Sequence, residues 1–111
     1  MNSYATLAAE LDRTVSRMIF ESYSLEKYHD SYIESITYLL RVLKNRAPIG
    51  GEPNLGFVTH TDKSFTTILH QNQINGLEID TRDGQKINVG LSPSSFVVVA
   101  GDALMVSHAL L

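Results

Sequence analysis

The sequence predicts a mainly β fold with an N-terminal helix. Apolar residues recur at helical spacing near the N-terminus, the second half alternates apolar and polar residues, and an Asp-Gly pair separates two of the alternating runs. The chain has 111 residues, of which 43% are hydrophobic and 19% charged. That length suits one domain, and the composition is that of a folded globular chain rather than a disordered segment, a collagen repeat or a coiled coil.

The first predicted element is a helix over residues 4–23. Its apolar side chains lie at steps of three and four, which places them on one face, and they are Leu7, Ala8, Leu11, Val15, Met18, Ile19 and Tyr23. We therefore expect an amphipathic helix that covers a larger structure. Residues 24–35 are polar and predict a turn that can include a short helix.

The next segment, residues 36–43, fits two structures. Ile36, Leu40 and Leu43 have helical spacing, whereas the Ile-Thr-Tyr start and the alternation that follows it are typical of a strand. We favour the strand. The prolines and the paired glycines of residues 45–54 then predict a loop.

A hairpin is the clearest prediction of the second half. Residues 77–80 and 86–89 both alternate apolar and polar side chains, as half-buried strands do. The Asp83-Gly84 pair between them favours the positive φ angles of a tight turn. We therefore expect an antiparallel hairpin.

Two further strands are predicted, at residues 66–70 and 96–100. The second is a continuous apolar run without charge or proline, which is typical of a strand buried on both faces. If it lacks neighbours, its edge is a template for pairing with another chain. We therefore expect self-association through an exposed strand edge, with residues 104–111 disordered or loosely held.

Composition excludes several classes of function. Nine basic and twelve acidic residues give a net charge of −3 without a basic cluster, which argues against nucleic acid or an anionic membrane as partner. The absence of cysteine excludes disulfides, thiolate zinc sites and cysteine nucleophiles. Neither a basic leader nor an apolar run of about 18 residues is present, so the sequence predicts a cytoplasmic protein.

One short motif can carry metal chemistry. In His60-Thr61-Asp62 the first and third side chains would point to the same side of an extended strand, where they can hold two adjacent positions of one metal ion. Two histidines and one carboxylate are the ligand set of the non-haem Fe(II) oxygenases. Taken alone, the motif is a weak signal, and a hydrogen-bonded pair at the surface is the favoured interpretation.

The residues around this motif resemble a known family. Residues 55–71, residues 76–79, the Asp-Gly turn and residues 96–105 are similar, in this order, to the first half of the catalytic core of the plant 2-oxoglutarate- and Fe(II)-dependent dioxygenases. They most resemble the branch that modifies glucosinolate side chains, the alkenyl- and hydroxyalkyl-producing enzymes. The resemblance implies a partial double-stranded β-helix, or jelly-roll, with residues 1–35 as a helical segment, residues 36–105 as the first half of the core and residues 106–111 as a divergent tail.

The resemblance also implies a reaction. His60 and Asp62 would bind Fe(II) together with a second, distal histidine, and 2-oxoglutarate would chelate the iron as co-substrate. The family decarboxylates 2-oxoglutarate to succinate and oxidises a C–H bond of a small organic molecule. No other residue of this chain is expected to touch the metal.

The sequence departs from the family pattern in ways that concern activity. The distal histidine and the 2-oxoglutarate-binding arginine of an Arg-x-Ser motif are absent, the N-terminal region of the family is missing, and residues 44–48 lack the family's tyrosine. We therefore expect a chain truncated at both ends and catalytically incomplete, and we assign no catalytic or 2-oxoglutarate-binding residue. The alternative is a non-catalytic fragment that self-associates or binds a partner.

A third hypothesis is a cupin-like metal protein that completes His60 and Asp62 with another histidine. Three are available: His29 is expected at the surface, His70 is expected to pack or line a pocket, and His108 is expected at an exposed terminus.

Overall fold

The computed structural model describes residues 2–44, 49–51, 59–72 and 76–110, with side chains described as far as Val106 in the last range. The chain divides into two compact units. We call Met1–Thr61 the helical unit and Asp62–Leu110 the strand unit.

The helical unit begins with α1, Asn2–Ser22, which confirms the helix predicted from apolar spacing. The helix ends where Ser24 adopts a left-handed φ of 57°, and the N–H of Leu25 donates to the carbonyl oxygen of Phe20 at 2.9 Å. A 3₁₀ helix, Glu26–Tyr28, then leads directly into α2, His29–Ser35. The structure therefore contains the short helix that the polar residues 24–35 can include.

Polar side chains occupy the buried positions of the helical unit. Asp12 is 4% exposed, Ser16 is 0% exposed and His29 is 2% exposed, whereas Leu7 and Met18 on the predicted apolar face are more than half exposed. The prediction that His29 lies at the surface is wrong, because the imidazole packs between α1 and α2 and bonds the Ser16 hydroxyl. No hydrophobic side chain is buried within the part of the chain that the structure describes.

Residues 36–44 form neither helix nor strand, so the strand predicted there is wrong. A strand is defined by hydrogen bonds to a neighbour, and none of the described strands pairs with this segment. Its large apolar side chains are exposed, Leu39 at 82% and Val42 at 73%.

The strand unit contains two separate antiparallel pairs among its described residues. In one pair β1, Thr66–Leu69, runs beside β4, Val97–Ala100, with Thr66 opposite Ala100. In the other pair β2, Leu77–Asp80, runs beside β3, Lys86–Val89.

The second pair confirms the predicted hairpin. Gly84 has a φ of 87°, an angle that favours a residue without a side chain. Asp83 has no positive φ, so the predicted pair of positive angles is found at the glycine alone. The N–H of Thr81 donates to the carbonyl oxygen of Gln85 at 2.8 Å and closes the turn.

Two predictions about the end of the chain are wrong. Burial alternates along β4, and Val98 is 37% exposed, because a two-stranded sheet leaves one of its faces partly uncovered. Asp102–Leu110 form a helix, α3, where a loose tail is predicted. The amides of Leu104 and Met105 donate to the carbonyl oxygen of Gly101 and start this helix directly after β4.

The N-terminal helix and the short antiparallel strands are thus as predicted, while the described residues hold more helix than strand, which differs from the predicted mainly β class. The missing strand at residues 36–43 and the unforeseen α3 account for the difference. Within the described ranges, no helix has the length and apolar content needed to span a bilayer.

Candidate metal site

The two predicted ligands lie in the irregular stretch that precedes β1. His60 is exposed and Asp62 is half-buried, and the division between the helical and strand units falls between Thr61 and Asp62. The extended strand expected at this motif is not formed, since β1 begins only at Thr66. The two predicted ligands therefore lie two positions apart in irregular backbone.

The backbone of Asp62 is tied to the start of α3. The N–H of Asp102 donates to the carbonyl oxygen of Asp62 at 2.7 Å, and the N–H of Gly101 donates to the carbonyl oxygen of Phe65 at 2.9 Å. Two successive amides thus fix the segment that contains Asp62, the predicted carboxylate ligand.

Gly101 allows this close approach. A Cβ built on Gly101 would lie 1.8 Å from the carbonyl oxygen of Ser64 and 3.1 Å from that of Asp62, so any side chain would collide with the backbone. The sequence alone did not predict this contact. The available signal was a glycine placed directly after a predicted strand, which often marks a close backbone contact.

A weak ion pair lies beside this contact. The Nζ of Lys63 lies 4.0 Å from Oδ2 of Asp102, and the lysine side chain is 94% exposed. Water and salt screen an ion pair of this kind, which therefore adds little stability. The backbone hydrogen bonds of Gly101 and Asp102 therefore hold the loop more firmly than this ion pair does.

The remaining histidines have other contacts. His70 packs, as expected: its Nε2 donates to the carbonyl oxygen of Pro93 at 2.7 Å, and its ring centroid lies 4.6 Å from that of Phe96. His29 bonds Ser16 within the helical unit. The side chain of His108 lies outside the described part of the structure, so its predicted exposure stays a prediction.

The donor set can be judged against Fe(II). Imidazole and carboxylate are both ligands that Fe(II) accepts, so His60 and Asp62 fit two of its positions. Within the described ranges, no group of three or more histidine, aspartate or glutamate side chains is placed to hold a metal ion. The described residues thus include two predicted ligands whose chemistry fits Fe(II), and metal binding by them stays a prediction.

Comparison with known proteins identifies the family. The family model of the 2OG-Fe(II) oxygenase superfamily matches residues 34–110, a range that includes His60 and Asp62. No solved structure matches the chain.

Curated relatives agree with the family match. The chain is 46% identical over 99 residues to the "Probable 2-oxoglutarate-dependent dioxygenase AOP1" of Arabidopsis thaliana. This match covers 86% of the chain and 33% of that protein. It is 49% identical over 53 residues to the "2-oxoglutarate-dependent dioxygenase AOP3" of the same plant, covering 48% of the chain and 13% of the relative. The chain thus spans about a third of the length of the relatives that match most of it. It belongs to the 2OG-Fe(II) oxygenase superfamily.

Proposed function

We propose that this chain is part of a 2-oxoglutarate- and Fe(II)-dependent dioxygenase in which His60 and Asp62 supply two ligands to the iron. The family match over residues 34–110 carries the proposal, because this range includes both His60 and Asp62. Two curated relatives of the chain are also dioxygenases by name. The proposed substrate is a small organic secondary metabolite.

The proposal includes the fold of the complete domain. Residues 36–105 would form the first half of a jelly-roll, with residues 1–35 as a helical segment before it and residues 106–111 as a divergent tail. Support comes from the antiparallel pairing of β1 with β4 and of β2 with β3.

The chemistry divides between metal and protein. Fe(II), when bound, supplies the redox chemistry that couples decarboxylation of 2-oxoglutarate to oxidation of the substrate. His60 would donate a ring nitrogen in its neutral form and Asp62 a carboxylate oxygen. Because His60 is exposed and Asp62 only half-buried, 2-oxoglutarate and substrate can reach this position from solvent.

Metal binding by the chain tests the proposal directly. Mn(II) is a suitable probe because it takes the same ligands as Fe(II) and broadens the nuclear magnetic resonance signals of nearby residues. We expect Mn(II) to broaden the signals of residues 60–62, weakly because only two ligands are proposed, and we expect His60→Ala and Asp62→Ala to abolish the effect.

His70→Ala is the matched control, since His70 is also exposed and lies outside the proposed pair. That variant should bind Mn(II) as the unaltered chain does. Binding that survives His60→Ala would place the metal elsewhere and overturn the assignment.

A second role is favoured by exposed apolar surface. Leu39, Val42 and Leu43 are 65–82% exposed, and each two-stranded pair has two edges without a described neighbouring strand. Unpaired edges and apolar side chains of this kind are templates for association between chains. We therefore propose self-association as the alternative role, in which the chain is non-catalytic and binds a second copy of itself.

A further inference from the structure

We propose that Gly101 and the backbone N–H of Asp102 are positioning groups for the metal ligand Asp62. The inference rests on the proposed function, since it takes Asp62 to be an iron ligand. In this proposal, the junction between β4 and α3 fixes the position of the Asp62 backbone, from which the carboxylate side chain extends.

The contact continues the pairing of β1 with β4 beyond the end of the sheet. The last paired residues are Thr66 and Ala100. One residue further, the N–H of Gly101 donates to the carbonyl oxygen of Phe65 at 2.9 Å, and the N–H of Asp102 then donates to that of Asp62 at 2.7 Å. Because Ser64 and Phe65 form a bend, a step of one residue on the β4 side corresponds to a step of three on the β1 side.

This geometry transmits the register of the sheet to the ligand. The positions of Thr66 and Ala100 are set by the ladder, and the two amides that follow Ala100 set the positions of Phe65 and Asp62. Without these bonds, Asp62 would sample more backbone conformations, and the entropy lost on ordering it would weaken metal binding. Partners that hydrogen-bond a ligating side chain and orient it commonly change metal affinity about 10- to 100-fold, and the backbone bond to Asp62 would orient its side chain from the main chain.

Gly101 makes the contact possible. It is buried, whereas every other residue of the strand unit whose exposure is described is half-buried or exposed. Its missing side chain leaves space for the carbonyl oxygen of Ser64, which would lie 1.8 Å from a Cβ. Ser64 and Asp62 can therefore lie directly against the chain at the start of α3.

The N–H of Asp102 can be removed selectively. Asp102 is the first residue of α3, a position where proline is well tolerated because the helix does not use that amide. Asp102→Pro therefore deletes the hydrogen bond to Asp62 and leaves the start of the helix intact. Asp102→Ala is the matched control, because it also removes the carboxylate near Lys63 but keeps the amide.

The first readout is the order of the Asp62 amide, measured by nitrogen relaxation without metal. We expect an order parameter of about 0.85 in the unaltered chain and in Asp102→Ala, and a value below about 0.6 in Asp102→Pro. The amides of Ile68 and Val98 in the β1 and β4 pair should stay equally ordered in all three proteins, which shows that this pair is folded. An Asp62 amide that is as ordered in Asp102→Pro as in Asp102→Ala overturns the proposal.

The second readout is Mn(II) titration of the same proteins. We expect Asp102→Ala to bind Mn(II) like the unaltered chain and Asp102→Pro to bind about tenfold more weakly. Equal affinity of the two variants overturns the positioning role. If the unaltered chain binds no Mn(II), the proposed function fails, while the order parameters still decide whether the junction holds Asp62.

Discussion

The hydroxyl of Tyr38 donates a hydrogen bond of 2.9 Å to Oδ2 of Asp12. This bond ties the extended segment after α2 to the middle of α1, across 26 positions of the chain. Asp12 is 4% exposed, so the bond satisfies a carboxylate that has little contact with water. A polar contact therefore joins α1 to the segment that follows α2.

Tyr38 should titrate at unusually high pH. Burial, followed by the bond to Asp12, raises the pKa of the Tyr38 hydroxyl from 10.0 to about 12. Since the pKa is higher in the folded state, the bond contributes stability that is complete below pH 10 and is lost as the pH rises through about 12. The measurement is tyrosinate absorbance as a function of pH, recorded for the unaltered chain and for Tyr38→Phe. The difference between the two curves should show this transition near pH 12.

Tyr28→Phe serves as control, because Tyr28 is 52% exposed and Tyr38 47% exposed. The Tyr28→Phe variant should keep the late transition of Tyr38. A Tyr38 transition centred near 10 would contradict the bond to Asp12.

Gly101→Ala should destabilise the strand unit by about 3 kcal/mol or more. The added Cβ would stand 1.8 Å from the Ser64 carbonyl oxygen, and backbone cannot move aside as a flexible side chain can. Gly76→Ala is matched in the same unit, since nothing lies within 4 Å of a Cβ there. Urea titration of both variants would decide, and equal midpoints would show that the close contact is not formed in solution.

Ser16→Ala should destabilise the helical unit by about 1–3 kcal/mol. It removes the 2.9 Å hydrogen bond between the Ser16 hydroxyl and Nε2 of His29 and leaves that nitrogen buried without a partner. Nδ1 of His29 already lacks a hydrogen-bond partner among the described residues, so the ring has no second hydrogen bond to compensate.

Ser22→Ala is the comparison for Ser16→Ala, because its hydroxyl bonds the Ile19 carbonyl at the exposed end of the same helix. Its effect should stay within about 0.5 kcal/mol. Thermal unfolding followed by circular dichroism measures both, and a Ser16 variant as stable as the Ser22 variant would refute the buried bond.

The isolated chain should release no succinate from 2-oxoglutarate. Within the described residues His60 and Asp62 are not joined by a third metal ligand, and two ligands leave most positions of Fe(II) to water. The assay uses Fe(II) and ascorbate, with the same mixture lacking protein as control. Succinate in stoichiometric excess over that control would show that the site is complete.

The chain should self-associate at micromolar concentration. Its described residues bury no hydrophobic side chain, and Leu39 and Val42 are among the most exposed apolar groups. Sedimentation should therefore show species larger than a monomer, reduced by Leu39→Lys and Val42→Lys together. A clean monomer with a sharp thermal transition would contradict both the exposed segment and the open strand edges.

Elements set by neighbouring residues were predictable. The spacing of apolar residues predicts α1, and Asp83-Gly84 predicts the hairpin, because in both cases the decisive interactions lie within a few positions. The motif at His60 and Asp62 was likewise visible in the sequence. Its role in metal binding stays a prediction.

Features that depend on distant residues were not predictable. Residues 36–44 have strand composition, yet a strand also needs a neighbour that composition does not show. The burial of His29 depends on its meeting Ser16 on another helix. Gly101 acquires its role only because Ser64 is folded back against it.

The nesting of the two strand pairs has a consequence for the order of folding. Asp80 and Lys86 of the hairpin are six positions apart, whereas Leu69 and Val97 of the β1 and β4 pair enclose that whole hairpin. Hairpins form in about 1–10 μs, and closing a longer loop costs more entropy. A preformed hairpin shortens the chain that must close, so β2 and β3 should join first. The junction at Gly101 can then form only late, after β1 and β4 have met.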